Sequence, residues 1–110
     1  MEAMRTTYAV SWREPDSSTK SGRLELGPSG LVLDGANGHG PVRLHVSYDE
    51  IVGVRLARTA HERLNGRPTL VVDRCKRGQL QIAGVVILSG VATELAERLA
   101  SRAPAASRVR

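Results

Sequence analysis

The chain has few aromatic residues, a single cysteine and no long apolar run. Its 110 residues include one Trp, two Tyr and no Phe, so the core has to be built from Val, Leu, Ile and Ala. Because Cys75 is the only cysteine, an internal disulfide and a thiolate metal cluster are both excluded. The longest apolar run, residues 85–88, is far shorter than the roughly 20 residues of a membrane-spanning helix.

The amino terminus also lacks the features of a secretory signal. The stretch MEAMRTTYAVSWRE has no continuous apolar segment, and one free cysteine fits a reducing compartment. We therefore predict a cytoplasmic protein, with a single domain over residues 1–102 and a disordered basic tail over residues 103–110. Fourteen arginines against two lysines, with abundant Ala, Val and Gly, are typical of a GC-rich bacterial genome.

The net charge of +5 is distributed unevenly along the chain. Residues 1–54 carry five basic and seven acidic side chains, a sum of −2, whereas residues 55–77 carry seven basic and two acidic ones, a sum of +5. Residues 78–110 add a further +2. A local excess of this kind is what an anionic partner would encounter.

Alternating apolar and polar residues predict seven β-strands, at residues 7–13, 22–27, 31–34, 41–48, 51–58, 69–74 and 79–83. The alternation places Tyr8, Val10 and Trp12 on one face of the first strand. In the fifth strand it places Val52 and Val54 on one face together with Leu56. The loop over residues 59–68 contains Asn65-Gly66, which is a turn signal.

A change of period near the carboxyl end predicts one amphipathic helix that ends near Arg102. The apolar positions of its 3.6-residue repeat are Leu88, Val91, Ala92, Leu95, Ala96 and Leu99. Ser89 is predicted to be the N-cap. Glu94 and Arg98 are spaced as an i,i+4 ion pair in the favourable order.

The stretch DGANGHG, residues 34–40, has the glycine content both of a phosphate-binding loop and of a turn. A phosphate-binding loop leads from a strand into a helix, whereas strands are predicted on both sides of this stretch. We therefore predict a hairpin turn, with Asn37-Gly38 as a positive-φ pair and the next strand starting at Pro41.

This order of elements, with the segments YDEIVGVRLAR and LSGVATELAERLA in its second half, resembles the pleckstrin-homology (PH) superfold over about residues 6–101. The resemblance is to the small bacterial and GRAM-like members, because eukaryotic members carry a Trp in the helix and Trp12 lies on the first strand. It implies a mainly β fold: a seven-stranded antiparallel sandwich or partly open barrel, four strands against three, capped by one C-terminal amphipathic helix.

The resemblance also implies a candidate site for an anionic ligand. In lipid-binding members, a basic motif on the first two strands binds inositol phosphates. Lys20 and Arg23 lie in the matching segment, although the closely spaced basic pair of the family is absent. The CKRG turn and the DGANGHG hairpin would border the same rim, so the candidate residues are Lys20, Arg23, His39, Lys76 and Arg77. The alternative is a solvated rim.

A second basic cluster lies on and after the fifth strand, and it consists of Arg55, Arg58, Arg63 and Arg67. It is a candidate docking surface for an acidic protein partner, with a solvated face as the alternative. Nucleic-acid-binding surfaces usually interleave aromatic residues for stacking. Residues 49–110 contain none, so we do not expect a nucleic-acid partner.

Catalytic and metal-binding constellations are missing from the sequence. His39, His45 and His61 have no ligand spacing with one another or with a Cys, Asp or Glu set. Cys75 has no His or acidic residue at a motif spacing, and Ser89 in ILSGV lacks the first glycine of a nucleophile elbow. We therefore predict no enzyme activity, no metal and no cofactor.

Together these patterns favour a non-enzymatic binding module. The main hypothesis is protein–protein interaction, including self-association into a homo-oligomer. The alternative is peripheral binding of an anionic lipid at the inner membrane face, or of a phosphorylated small ligand, through the basic rim. Pleckstrin-like sheets expose an edge beside the helix that accepts a peptide strand, but the sequence does not show which strand forms that edge.

Overall fold

Seven strands and one helix follow one another in the computed structural model, which describes residues 7–15, 17–85 and 90–103. The strands are β1 (Thr7–Arg13), β2 (Lys20–Leu26), β3 (Gly30–Asn37), β4 (Gly40–Ser47), β5 (Ile51–Leu56), β6 (Thr69–Arg74) and β7 (Gly78–Gly84). The helix is α1 (Val91–Arg102). Short 3-10 turns lie at Tyr48–Glu50, Ala60–Glu62 and Leu64–Gly66.

All seven strands form one antiparallel sheet in the order β4-β3-β2-β1-β7-β6-β5. β1 is the central strand, because it pairs with β2 on one side and with β7 on the other. The sheet curls into a half-barrel, and the predicted mainly β fold with a C-terminal helix is confirmed. The four-strand and three-strand halves are continuous through β1, which the alternation of residues did not show.

The hydrophobic core fills the concave face of the sheet. Val10 and Trp12 of β1 are buried there, as are Leu24 of β2 and Leu80 and Ile82 of β7. These are the side chains that the period-two alternation places inward. The concave face is therefore built as the sequence predicts.

Helix α1 packs mainly against β5, β6 and β7. Leu95 and Leu99 have no exposed surface. The predicted ion pair is present, with Arg98 Nε 3.6 Å from Glu94 Oε2. Glu94 also accepts a hydrogen bond from the Tyr8 hydroxyl at 2.6 Å, so the helix is attached to β1 as well. No helix in the described part of the chain is long and apolar enough to cross a membrane.

The ends of the helix differ in detail from the prediction. Gly90 is the N-cap, in a left-handed conformation with φ of 72°. Leu88 and Ser89, which were predicted for the first turn and the cap, lie outside the described residues, as do residues 104–110 of the predicted tail. Ala103 was predicted to belong to that tail, but it is the C-cap of α1 and is buried in the core.

Strand β5 departs from the predicted alternation. Its register with β6 shifts between Ile51 and Gly53, and a bulge of this kind changes which side chains face inward. Ile51 is buried and Val54 packs partly against the core. Val52 and Leu56 are 41% and 42% exposed. Val54 and Leu56 share the predicted face, since they pair with the buried Val72 and Leu70 of β6, but the bulge removes Val52 from it.

The stretch DGANGHG forms the predicted hairpin, but its turn lies one residue later. Asn37 ends β3 and pairs with Gly40 at the start of β4, so the loop consists of Gly38 and His39. The His39 N–H donates to Asn37 Oδ1 at 2.8 Å. Gly40 has a positive φ of 122°, whereas Asn37 and Gly38 do not. The predicted positive-φ pair is wrong, because the Asn37 side chain holds the turn instead.

Gly35 of the same stretch serves the core rather than the turn. It pairs with Gly22 of β2. A Cβ at Gly35 would lie 2.1 Å from the Ser21 carbonyl oxygen and 2.8 Å from the Trp12 indole. The two strands and the indole therefore approach one another at a point that only glycine permits.

The loop between β5 and β6, residues 57–68, folds back over the convex face of the sheet, and we call it the convex loop. Its Leu64 is 2% exposed and lies in a turn that contacts β1 and β7. The Leu64 N–H donates to Thr69 Oγ1 at 2.9 Å. Val71 and Ala83, which the alternation places outward, are buried on this face. A small second apolar cluster thus forms opposite the main core.

Candidate functional site

The sheet has two edge strands, β5 and β4, and only β5 carries large hydrophobic side chains that are exposed. β5 is the last strand of the sheet on the side that contacts α1. Its exposed apolar residues are Val52 and Leu56. Edge strands with unpaired main-chain groups are templates for a further strand.

Strand β4, at the opposite edge, is protected against strand addition. Pro41 has no N–H to donate, and Arg43 and His45 are exposed on the strand. The Nη2 of Arg77 donates to the His45 carbonyl oxygen at 2.8 Å. Proline, charged side chains and a covering group are the usual means by which natural sheets prevent edge pairing.

Arg77, one of the predicted rim residues, forms an ion pair with Glu50. Its Nη2 lies 2.9 Å from Glu50 Oε2. Burial raises the pKa of Glu50, but the hydrogen bonds from the Ser47 N–H and from Arg77 outweigh it, so the pKa lies below its ordinary value. Lys76 and Arg77 line a groove of about 380 Å³ together with Asp49 and Glu50. Both signs of charge therefore meet in this groove.

Lys20 and Arg23, the predicted basic residues of β2, lie on opposite faces of the sheet. Lys20 pairs with Trp12 of the concave face, and residues three positions apart on a strand point in opposite directions. The Nζ of Lys20 donates to Ser17 Oγ at 2.9 Å. Its charge is thus directed to the loop between β1 and β2.

His39 is exposed in the hairpin between β3 and β4. Among the described residues, no hydrogen bond or ion pair joins any two members of the predicted rim, which consists of Lys20, Arg23, His39, Lys76 and Arg77. Their convergence on one ligand remains a prediction of the family resemblance.

The second predicted cluster is partly engaged in holding the convex loop. Arg55 makes a two-point contact with Glu62, with Nη1–Oε1 at 2.9 Å and Nη2–Oε2 at 2.5 Å. The Arg58 N–H also donates to Glu62, at 3.1 Å. The hydrogen bonds from Arg55 and from the Arg58 backbone lower the pKa of Glu62 to about 2. This carboxylate therefore stays ionised at every pH at which the protein is expected to work.

The other members of this cluster are divided between structure and solvent. Arg67 Nη1 makes a long hydrogen bond of 3.4 Å to the Gly84 carbonyl oxygen. The Arg58 and Arg63 side chains are exposed and have no hydrogen-bond or ion-pair partner within the described ranges. Two of the four predicted arginines thus remain open to an external partner.

Sequence reasoning missed Arg74, which is 5% exposed. Its Nε donates to the Gly78 carbonyl oxygen at 2.9 Å and its Nη2 to that of Arg77 at 2.8 Å. Its Nη1 lies 3.1 Å from Glu14 Oε2, in an orientation that makes no hydrogen bond. Arg74 therefore holds the turn between β6 and β7. The signal in the sequence is its inward position, two residues after Val72.

The remaining candidates do not assemble into a site. Cys75, His45 and His61 are all exposed. Across residues 7–15, 17–85 and 90–103, no three His, Cys, Asp or Glu side chains are grouped so that they could hold a metal ion.

The architecture belongs to the class of antiparallel half-barrels with a C-terminal helix and is consistent with a PH-like fold. A solved structure, the C-terminal domain of an unknown protein from Leishmania infantum, is similar with a TM-score of 0.61. It is 14% identical, and the match covers 84% of this chain and 80% of that chain. At this identity the similarity concerns the fold alone. No family model matches the chain, and no curated protein matches it.

Proposed function

We propose that this chain is a non-enzymatic, PH-like binding module that takes up an extended segment of another protein as an additional strand on β5. The observation that supports the proposal is the difference between the two edges of the sheet. β5 leaves Val52 and Leu56 exposed, whereas β4 carries Pro41 and has the His45 carbonyl occupied by Arg77.

The chemistry of the β5 edge indicates which partner segments would fit. An added strand gains main-chain hydrogen bonds from the edge, and its alternate side chains determine specificity. Exposed Val52 and Leu56 favour apolar residues in the partner. A partner that continues past Leu56 would approach Arg58, whose unpaired guanidinium favours an acidic residue there. A second copy of the chain is the homotypic form of the same interaction.

Binding to an anionic membrane, the alternative hypothesis, receives less support from the geometry. Lys20 and Arg23 are on opposite faces of β2, and the charge of Arg77 is compensated by Glu50. Sedimentation with anionic and neutral vesicles tests this alternative, which requires that K76E combined with R77E abolish recovery with the anionic vesicles.

The proposed function is tested by selecting binders from a random dodecapeptide library displayed on phage and measuring their affinity in solution. We expect Leu56→Lys to weaken the selected peptides about tenfold or more, because a charged side chain opposes strand addition at an edge. The matched control is His45→Lys, which adds a charge to the other edge and should leave the affinity within about twofold.

Two results would overturn the proposal: no enrichment of peptides, or equal loss of affinity in Leu56→Lys and His45→Lys. Light scattering across a concentration series identifies the homotypic form. If the chain associates with itself, Leu56→Lys should reduce the association and His45→Lys should not.

A further inference from the structure

A groove of about 630 Å³ opens between the loop that follows β1 and the convex loop. We call it the Arg13 groove, and its lining includes Arg13, Glu14, Ser18, His61, Glu62 and Gln79. None of these residues belongs to either of the basic clusters that the sequence predicts. The groove lies on β1 and β7, in the middle of the sheet, and is thus separate from the β5 edge.

Two consecutive hydrogen bonds, through Gln81 to the main chain of Glu62, fix the position of the Arg13 side chain. Its Nε donates to Gln81 Oε1 at 3.0 Å. The Nε2 of Gln81 donates in turn to the Glu62 carbonyl oxygen at 2.6 Å, so both ends of this amide are occupied. The terminal nitrogens of Arg13 have no hydrogen-bond or ion-pair partner in the described part of the chain. A guanidinium fixed through its Nε, with both terminal nitrogens unpaired, is arranged for a two-point contact with a planar anion.

The charges around Arg13 distinguish among anions. The two carboxylates that line the groove are each compensated by another arginine: Glu62 pairs with Arg55, and Glu14 lies 3.1 Å from Arg74 Nη1. Among the described residues, Arg13 is the one arginine of the lining, and no carboxylate pairs with it. A phosphate dianion would place two negative charges against one guanidinium that lies between two carboxylates. A carboxylate carries one negative charge, and its two oxygens match the two terminal nitrogens of the guanidinium.

We propose that the Arg13 groove binds a carboxylate of a polypeptide partner, with the carboxylate oxygens on the two terminal nitrogens of Arg13. Ser18 and Gln79 line the same groove and offer neutral donors and acceptors to the partner's main chain. The open groove between two loops admits a peptide rather than enclosing a small molecule. Strand β5 contributes to this site only through Arg55, which pairs with Glu62, and the site does not depend on the function proposed above.

Nuclear magnetic resonance titration of the full chain tests the proposal. The probes are short glycine-serine peptides, acetylated and amidated, that contain one Glu, one Gln or one phosphoserine; a fourth peptide has Gln and a free carboxyl terminus. We expect the Arg13 Nε and the side-chain amides of Gln79 and Gln81 to shift with a carboxylate peptide and not with the neutral one. The arms with Glu and with the free terminus identify the source of the carboxylate.

Variants of arginine residues separate a specific contact from a general effect of charge. Arg13→Gln should weaken carboxylate binding about tenfold or more, since hydrogen bonds to charged groups contribute about 1.5–3 kcal/mol. Arg13→Lys keeps the charge but loses the fork, and it should weaken binding by an intermediate factor. The matched control is Arg63→Gln, which removes an exposed, unpaired charge from the convex loop and should change affinity less than twofold.

Three results would overturn the proposal. One is equal weakening by Arg63→Gln and Arg13→Gln, which would indicate only a diffuse attraction. Another is tighter binding of the phosphoserine peptide than of the Glu peptide. The third is shifts that map to β5 or are absent while the spectrum shows an intact fold. A negative result here leaves the β5 edge untouched, because the Leu56→Lys measurement reports on that edge separately.

Discussion

The two faces of the sheet are closed in different ways. The concave face is filled by apolar side chains that recur at every second residue of the strands, and helix α1 completes it. The convex face is covered over β7 and β1 by the convex loop, whose one buried apolar side chain is Leu64. The loop is held mainly by polar contacts, such as the pair of Arg55 with Glu62. Apolar side chains in a periodic pattern thus cover the concave face, whereas a few polar contacts hold the cover of the convex face.

The largest expected effect is on the concave face. Leu95→Ala should lower the free energy of unfolding by about 2–5 kcal/mol, because it removes a fully buried side chain and leaves a cavity. Urea denaturation measures the loss. Glu97→Ala, on the exposed side of the same helix, is the matched control and should change stability by no more than about 0.5 kcal/mol. Equal losses would mean that the apolar stripe does not close the core.

Leu64→Ala tests whether packing of the convex loop contributes as much to the free energy of unfolding as packing of the main core. We expect a loss of about 2 kcal/mol, at the lower end of the range for buried leucine, because a surface loop relaxes more readily around the missing atoms. Arg63→Ala in the same loop is the control. Amide hydrogen exchange should show the increase in opening confined to the convex loop and its neighbours on β6 and β7. Uniform loss of protection would show that both faces unfold as one unit.

Substitutions at two glycines of DGANGHG distinguish the stability effect of close packing within the sheet from that of the turn. Gly35→Ala should cost about 1–3 kcal/mol, because a Cβ would overlap the Ser21 carbonyl oxygen and the Trp12 indole. Gly38→Ala should be nearly neutral, since nothing lies within 4 Å of a Cβ at that position. Thermal unfolding of the two variants measures the difference. A large loss of stability in Gly38→Ala would show that the turn, rather than the close contact between strands, is what requires glycine in this stretch.

The smallest expected effect is the pH dependence of the polar contacts on the convex face. The pKa of Glu62 is about 2 in the folded protein, against 4.5 for an ordinary glutamate. Its ion pair with Arg55 therefore stabilises the fold above pH 4.5, and this stabilisation is lost as the pH falls toward 2. Glu62→Gln should lower the melting temperature at neutral pH, and the difference from the wild type should shrink over this window. A difference independent of pH would contradict the assignment.

Most of the concave face was predictable, because alternation and helical period specify directly which side chains face inward. β1 and β6 have the predicted bounds, and Leu95 and Leu99 occupy the predicted stripe. The errors lie where a local irregularity breaks the period. The bulge at β5 removes Val52 from the predicted face, and the hydrogen bond from the His39 N–H to Asn37 Oδ1 replaces the predicted positive-φ turn.

The candidate sites were much less predictable, because each one joins segments that are distant in the chain. Arg55 was predicted to be available to a partner, yet it is engaged by Glu62 seven residues later. Arg77 contacts Glu50 across 27 residues, and Arg13 is positioned by Gln81 across 68 residues. No periodic signal in a sequence indicates which polar side chain will meet which carboxylate, since that depends on how two loops are folded.

The sequence by itself determined that this is a mainly β chain with an aliphatic core and one closing helix, because hydrophobic burial follows the spacing of residues along each element. Only the tertiary structure decided that β5 is the edge strand with exposed apolar side chains. It also decided that Arg77 donates a hydrogen bond to the His45 carbonyl oxygen of β4. It decided as well that, within the described residues, Arg13 has no carboxylate partner, whereas Glu62 and Glu14 lie beside Arg55 and Arg74. These features depend on strand order and loop packing, which bring together groups that no local spacing relates.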